Sequence, residues 1–473
     1  MHHKPIFFHN VGLSFPQKIC FEGFTTQIQP GQRVAIIGQN GSGKSTLLKM
    51  LQGLVEPSQG SLHLPDAIVF GYVPQVINEF DSLSGGQRLN EALTQALALD
   101  PTLLLLDEPS NHLDLRNRRS LLRMLQHYPG TLVIVSHDTE LLRTCIDTLW
   151  HIENGKIYIF SGNYDDYMRE IRIKRASLKQ ELIHLDRQKK ETHQALMKEQ
   201  VRAAKSRAKG EKHIEQRKWP TIVSAAKARR ATETSGRKKK AITHKKQDLI
   251  DQLSKLRLPE ILKPMFSLET SGSGSKLLVS IQEGVCGYGE PILQNIYFSV
   301  GPQDRIAIRG DNGSGKTTLI KAILNDPSVV KSGHWHVPNR EDAGYLDQNY
   351  KTLNPHKTVL ETISDAAPTW THTDIRRHLN DFLFRRNEEV NAFVDTLSGG
   401  EKARLSLAQM AAKTPSLLIL DEITNNLDLE TREHVIQVLN AYPGAMIVIS
   451  HDENFLKTIS IENFYVINPL EDK

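Results

Sequence analysis

Gly38-Gln-Asn-Gly-Ser-Gly-Lys44-Ser45 decides the fold, because the same pattern returns as Gly310-Asp-Asn-Gly-Ser-Gly-Lys316-Thr317. Each octapeptide matches G-x-x-x-x-G-K-[ST], a glycine-rich turn whose backbone N–H groups wrap phosphates at a helix N-terminus. An apolar strand precedes each copy, Arg33-Val-Ala-Ile-Ile37 in the first half and Arg305-Ile-Ala-Ile308 in the second. Downstream of each lies an LSGG tetrapeptide, Leu83 to Gly86 or Leu397 to Gly400, then an apolar run ending in Asp107-Glu108 or Asp421-Glu422. A single match can arise by chance. Two copies in the same order, each with its own downstream partners, do not.

The spacings make the repeat quantitative. Lys44 to Gln75 is 31 residues and Lys316 to Gln348 is 32. From the LSGG leucine to the strand-end Asp is 24 in both halves, and from that Asp to the His of a Ser-His-Asp turn is 30 in both. Only the step from Gln to LSGG differs, 8 residues against 49. A mostly helical subdomain at 349–396 is therefore expected in the second half and trimmed from the first. The chain reads as two nucleotide-binding cassettes of α/β type, each with a largely parallel sheet, and ATP is the expected ligand.

The residue types assign the chemistry. Gly38, Asn40, Gly41, Ser42, Gly43 and Thr46, with Gly310, Asn312, Gly313, Ser314, Gly315 and Thr318, are expected around the phosphates. Lys44 and Lys316 should reach the β- and γ-phosphates; Ser45 with Asp107, and Thr317 with Asp421, should hold Mg²⁺. Glu108 and Glu422 are placed as general bases for the attacking water. His137 and His451 follow apolar strands in identical register and suit a γ-phosphate contact; Gln75 and Gln348 join the nucleotide set.

Length and composition set the bounds. With 473 residues the chain holds two or three domains with proper cores, and 39% apolar content is ordinary for a globular protein. No stretch approaches the about 18 to 20 apolar residues needed to cross a bilayer, and the N-terminus lacks a signal peptide's apolar core, so a cytoplasmic location is expected. Cys20, Cys145 and Cys286 are widely spaced and read as reduced core thiols. The net charge of +5 is unevenly placed. Arg169 to Arg257 holds 27 basic and 10 acidic residues, a net of +17, which leaves −12 for the rest. A basic connector between acidic units points to a nucleic-acid partner.

Three segments follow: a first cassette at 1–162, a basic helical-hairpin linker at 163–258, and a second cassette at 259–473. No Gly or Pro occurs from Asn163 to Lys209, and apolar residues recur at Ile171, Leu178 and Leu185 and at Met168, Leu182 and Leu196. Breaks cluster at Gly210, Trp219-Pro220 and Gly236 before a second seam through Ile242, Leu249, Leu253 and Leu256. The expectation is an antiparallel helical hairpin with a broken basic tip, 17 basic against 4 acidic residues from Lys198 to Lys246. Trp219 either stacks on an RNA base or clasps the tip. Ser271-Gly-Ser-Gly-Ser275 reads as a flexible joint.

The LSGG segments resemble the signature motif of ABC-type ATPases. That resemblance implies two ATPs sandwiched between the cassettes within one chain: Lys44, Glu108 and His137 facing Ser398, Gly399, Gly400 and Glu401, and Lys316, Glu422 and His451 facing Ser84, Gly85, Gly86 and Gln87. Asp114 and Asp428 match the D-loop. Phe15 and Tyr288 stand where the family stacks an aromatic on adenine, and either could instead be core. Glu401 places an extra carboxylate opposite Lys44, which should weaken binding unless it faces away.

More finely, the chain is similar to the ABC-F class, which fuses two cassettes without membrane domains. Gly162-Asn-Tyr-Asp-Asp-Tyr167 looks like that class's linker start, and Asp107-Glu-Pro-Ser-Asn-His-Leu-Asp114 is close to its usual D-E-P-T-N-H-L-D. The second copy departs at Ile423 and Asn426, which predicts unequal sites. A cut-down first cassette and a long linker resemble the Msr and Vga type of antibiotic-resistance proteins. The class implies a monomer that binds the ribosome when ATP-bound, with residues 198–246 reaching ribosomal RNA and the P-site tRNA and no membrane subunit. A housekeeping translation factor is the alternative within the class, and an exporter motor the alternative outside it. The trimmed Gln75–Leu83 interval argues against the exporter, because transporters dock on that helical region. A DNA-repair type ATPase would carry a zinc module or a very long coiled coil.

Overall fold

The computed structural model of the chain describes residues 4–15, 18–66, 68–75, 85–111, 113–215, 241–244, 277–340, 342–347, 350–424 and 427–467. Residues Met1–Tyr167 and Ile261–Lys473 form one compact unit and Met168–Glu260 a second.

In the first cassette the described strands are β1 (Ile6–Phe15), β2 (Lys18–Ile28), β3 (Arg33–Gly38), β4 (Gln59–His63), β5 (Phe70–Val73), β6 (Leu103–Asp107), β7 (Thr131–Val135), β8 (Thr148–Glu153) and β9 (Lys156–Ser161). Among the described residues they make two sheets, ordered β2-β1-β4 and β5-β6-β7-β3-β8-β9. The larger sheet is parallel from β5 to β8, with β9 antiparallel at its edge. Its central strands are buried at every position in β6 and β7, which is why they read as unbroken apolar runs. The smaller sheet is antiparallel and alternates buried with exposed residues along part of β1. Between the sheets Trp150 meets Phe8 and Phe24 edge-on, with ring centroids 5.3 and 4.9 Å away.

The second cassette repeats the plan with β10 (Val279–Tyr288), β11 (Glu290–Val300), β12 (Arg305–Arg309), β13 (Val330–His336), β14 (Ala343–Asp347), β15 (Leu417–Asp421), β16 (Ala445–Ile449) and β17 (Asn463–Val466). Its sheets run β11-β10-β13 and β14-β15-β16-β12-β17 among the described residues. The duplication extends to fine detail. Arg33 donates to the carbonyls of Leu125 and Tyr128 at 2.8 and 2.7 Å, and Arg305 to those of Leu439 and Tyr442 at 3.2 and 2.9 Å. Each arginine thus holds the C-terminal carbonyls of the helix after Asp114 or Asp428, where a cation also suits the helix dipole.

Helices Val359–Ala366, His372–Asp381 and Asn387–Val390 fill the interval that distinguishes the second half. Capping boxes start the first two: Thr358 with Glu361, and Thr371 with Asp374. Ile363, Leu379 and Phe382 bury their side chains into the second cassette's core.

The linker helix runs Tyr164–Glu215, 52 residues, or roughly 78 Å at about 1.5 Å per residue. Asn163 caps it, accepting from the amides of Asp165 and Asp166 at 2.9 and 3.2 Å. Gly210, read from sequence as a break, lies inside the helix. One glycine costs about 1 kcal/mol relative to alanine, too little to stop so long a helix. Leu185 and Thr192 are buried, whereas their neighbours on the polar faces are exposed, so the apolar seam is a shielded stripe. The tip with Trp219, the second seam beyond residue 244 and the Ser-Gly joint lie outside the described residues. No described helix is long and apolar enough to cross a membrane.

Trp150→Ala should lower stability by about 3–5 kcal/mol through the cavity left between the two sheets. Urea unfolding followed by circular dichroism measures it.

Candidate active site

Strand β3 leads straight into the first P-loop, where Gly38, Gly41 and Gly43 take φ values of 151°, 74° and 98°. Gly43 caps helix Lys44–Leu51, and a Cβ there would lie 2.8 Å from Leu13 Cδ2, so both dihedral and space require glycine. Gly315 repeats the arrangement at φ 94° ahead of helix Lys316–Ile323. Lys44 Nζ donates to the carbonyls of Gly38 and Gln39 at 2.7 and 3.1 Å, and Lys316 Nζ to those of Gly310 and Asp311 at 2.9 Å each. Each ammonium is therefore folded over its own loop. Thr46 and Thr318 occupy the first helical turn beyond it.

The ends of β6 and β15 bring carboxylates to the loops. Ser45 hydrogen-bonds Asp107, and Thr317 Oγ1 donates to Asp421 Oδ2 at 3.4 Å. Asp107 Oδ1, Ser42 Oγ and Ser314 Oγ are buried with no partner among the described residues. Buried oxygens left open beside a hydroxyl–carboxylate pair fit a hard cation carried on a phosphate, which takes only one or two protein oxygens. Tyr345, unremarked in sequence, donates its hydroxyl to Asp421 Oδ2 at 3.2 Å.

Glu108 and Glu422 both adopt φ 50°, a conformation that non-glycine residues seldom hold and that concentrates at functional sites. The Glu108 amide donates to Val135 O at 2.8 Å and the Glu422 amide to Ile449 O at 2.9 Å, fixing both bends. His137 Nε2 stands 3.4 Å from Glu108 Oε1, and His451 Nε2 stands 3.9 Å from Glu422 Oε1. Burial, opposed by Lys44, pushes the Glu108 carboxyl up to about 8. Burial, helped by Lys44 and Arg432, holds the His137 imidazole well below its ordinary range, and burial with Lys316 takes His451 down to about 4. A carboxyl raised as far as that of Glu108 is largely protonated at neutral pH, and its ionised form is a correspondingly stronger base beside the neutral imidazole.

The two cassettes touch at these loops. The Asn40 amide donates to Asp428 Oδ2 at 3.4 Å, and Gln39 Nε2 to Glu430 Oε2 at 2.8 Å. A Cβ on Gly399 would sit 4.0 Å from Asn40 Nδ2, so the second signature helix, Gly399–Lys413, starts beside the first P-loop. Gly400 packs on the Thr431 hydroxyl, with a hypothetical Cβ 2.7 Å away. On the other side Asp114 acts on the charge of Lys316, and Arg118 Nη1 donates to His451 O at 2.9 Å. Gly85, Gly86 and Gln87 open helix Gly85–Ala98, and Gly86 abuts Asn117. Ser84 and Gln348 lie outside the described residues. Gln75 is exposed just beyond β5, and Phe15 and Tyr288 are 51% and 46% exposed, which removes the core alternative for both aromatics.

Glu401 corrects one expectation. Its Oε2 accepts from the Ser398 amide at 2.8 Å and from Ser398 Oγ at 2.6 Å, completing a capping box. The carboxylate is turned onto its own helix start and gives no reason for weaker binding opposite Lys44.

The ABC transporter family profile matches residues 21–72 and 293–425, and an AAA-domain profile matches 75–143. The ATP-binding protein Uup of Buchnera aphidicola is 31% identical, covering 95% of this chain and 78% of that protein. The ribosome protection protein VmlR of Bacillus subtilis is 29% identical over 97% of this chain and 86% of its own length. The probable ATP-binding protein YheS of Haemophilus influenzae is 29% identical, with 98% and 79% covered. Among solved structures, an RNase-L inhibitor superposes with a TM-score of 0.57 at 18% identity, covering 97% of this chain and 87% of that one, a likeness of fold. The chain belongs to the ABC-F family of twin-cassette proteins. It is an ABC-type ATP hydrolase.

Because glutamine caps as glutamate does, Glu401→Gln should leave ATP affinity unchanged. A fluorescent-nucleotide titration showing tighter binding would mean that the carboxylate reaches the triphosphate after all.

Proposed function

We propose that the chain binds two ATPs between its cassettes, associates with the ribosome in that closed form, and protects translation from antibiotics of the peptidyl-transferase and exit-tunnel region. The observation that carries this reading is the direct contact of each cassette's P-loop or histidine turn with the other's D-loop helix, in a chain that also carries a 52-residue linker helix. Ribosome binding draws its support from the name of VmlR, similar over nearly the whole chain, and from the basic run Lys198 to Lys246, which would lie along RNA phosphates and release counterions. The three segments 1–162, 163–258 and 259–473 then act as cassette, RNA-reaching arm and cassette.

In this reading the P-loop amides and Lys44 or Lys316 bind the triphosphate, and Ser398 to Glu401 or Ser84 to Gln87 cover it from the other cassette. Ser45 with Asp107, and Thr317 with Asp421, would hold Mg²⁺, which neutralises phosphate charge when bound. Glu108 and Glu422 take the proton of the attacking water, while His137 and His451 orient the γ-phosphate. Phe15 and Tyr288 offer exposed ring faces to adenine. ATP favours the closed state because it contacts both cassettes only there, and hydrolysis removes that bias.

Glu108→Gln combined with Glu422→Gln should abolish turnover and keep nucleotide binding, since the amide keeps size and loses basicity. The double variant should then co-sediment with ribosomes in ATP. Wild-type turnover by that variant would overturn the assigned bases.

Removing 168–257 should leave nucleotide binding intact and abolish rescue of in vitro translation from peptidyl-transferase antibiotics. Undiminished rescue would refute the arm's role. Ribosome binding without rescue from any such drug would instead favour housekeeping translation control.

A further inference from the structure

Arg118 lies four residues after Asp114, and Arg432 four after Asp428. Both guanidinium groups are buried in an ion pair with the Asp of their own Ser-His-Asp turn. Arg118 Nε and Nη2 donate to Asp138 at 2.7 and 2.5 Å, and Arg432 Nη2 lies 2.6 Å from Asp452 Oδ2. Within a cassette each pairs with its turn Asp, Arg118 through two nitrogens and with Glu140 3.4 Å away, Arg432 through one nitrogen. Between cassettes they differ further. Arg118 spends its remaining Nη1 on the carbonyl of His451, 2.9 Å away across the interface. Among the described residues Arg432 makes no corresponding hydrogen bond to His137, which it meets only through its charge.

A second pair marks the same interface. Arg119 Nη2 stands 3.5 Å from Glu453 Oε1 of the other cassette. The equivalent positions on the opposite side, by their distance from the D-loop Asp and the turn Asp, are Glu433 and Thr139, which cannot form an ion pair. That side uses Gln39 and Glu430 instead, at the P-loop rather than at the histidine turn.

We propose that Arg118 is a positioning residue for hydrolysis in trans: it fixes the His451 turn of the second cassette, and with it the 3.9 Å relation of His451 to Glu422, from the first cassette's D-loop helix. The second site's chemistry is thereby tied to closure through Arg118, whereas the first site's is not tied through Arg432. A bidentate guanidinium is needed, because one ammonium cannot hold Asp138 and reach the His451 carbonyl together. The inference rests on the assignment of Glu108 and Glu422 as the two bases.

The test uses the full chain with one site silenced at a time. Arg118→Lys keeps a cation beside Asp138 and loses the cross-cassette bond. In a Glu108→Gln background, where turnover comes from Glu422, it should lower kcat about tenfold with little change in KM, the size expected for one charge-assisted hydrogen bond. In a Glu422→Gln background, where only the buried pair with Asp138 is disturbed, it should lower kcat clearly less, and Arg432→Lys, which breaks no cross-cassette hydrogen bond, should leave kcat in that background within about twofold. Equal losses in the two backgrounds, or a rise in KM alone, would make Arg118 a structural residue and overturn the proposal. Parent variants that each turn over like wild type would instead overturn the base assignment, and the inference with it. Melting temperatures of all variants separate either result from misfolding.

Discussion

One carboxylate both caps its own helix and meets the other half of this molecule. Asp428 Oδ1 accepts from the Thr431 amide at 2.8 Å and so caps its own helix, while Oδ2 accepts from the Asn40 amide of the other cassette's P-loop at 3.4 Å. The cap is a local necessity, since the first amides of any helix need acceptors. The second bond uses what the cap leaves over. Because the cap fixes the carboxylate, the P-loop that meets it is fixed in turn, and the signature helix one turn away is brought alongside. The first P-loop and the second cassette's D-loop helix thus meet through two backbone amides, each taking one oxygen of Asp428.

Much of this was legible in the sequence, for reasons that differ by element. The parallel strands β6, β7, β15 and β16 could be read because burial on both faces leaves no polar position to break the run. The P-loops could be read because glycine at 43 and 315 has a steric cause. The helical interval of the second cassette could be placed by subtraction, and its caps at Thr358 and Thr371 carry visible boxes. The antiparallel β1 and β10 layers were missed, since several bulges disturb their alternation. No residue type announces φ 50° at Glu108 and Glu422, because that strain comes from the strand turning into the loop around an amide bond to the neighbouring strand.

The interface was legible only through resemblance. Spacing says that Asp114 and Asp428 are equivalent, but not that each faces the opposite cassette. The role of Glu401 shows the converse limit: charge alone suggested repulsion, and hydrogen-bond geometry cancels it. Ile423, the departure from Pro109 in the first copy, is 2% exposed within the core, so an apolar branch replaces an apolar ring with little change in what it packs against. Asn426, the other departure, lies outside the described residues, and the described interface carries a further difference between the halves.

It comes from the two D-loop helices. Leu429–Ala441 has Glu430 in its first turn, where the helix dipole favours an anion. Leu115–His127 has no acidic residue there and carries Arg116 at the position of Glu430, while Arg118 is matched by Arg432 in the other helix. Placed at the positive end of a helix, each such cation costs about 0.3–1 kcal/mol when nothing compensates it. Arg118 is compensated by Asp138 and Glu140 of its own cassette and by the His451 carbonyl of the other, and Arg119 by Glu453 of the other. Leu115–His127 is capped by Asp114 within its own cassette and gains the His451 carbonyl and Glu453 from the other side. Leu429–Ala441 is capped by Asp428 and meets Gln39 and Asn40. One duplicated fold therefore presents two chemically different seams, carboxylates meeting the first P-loop on one side and guanidinium groups meeting the second histidine turn on the other.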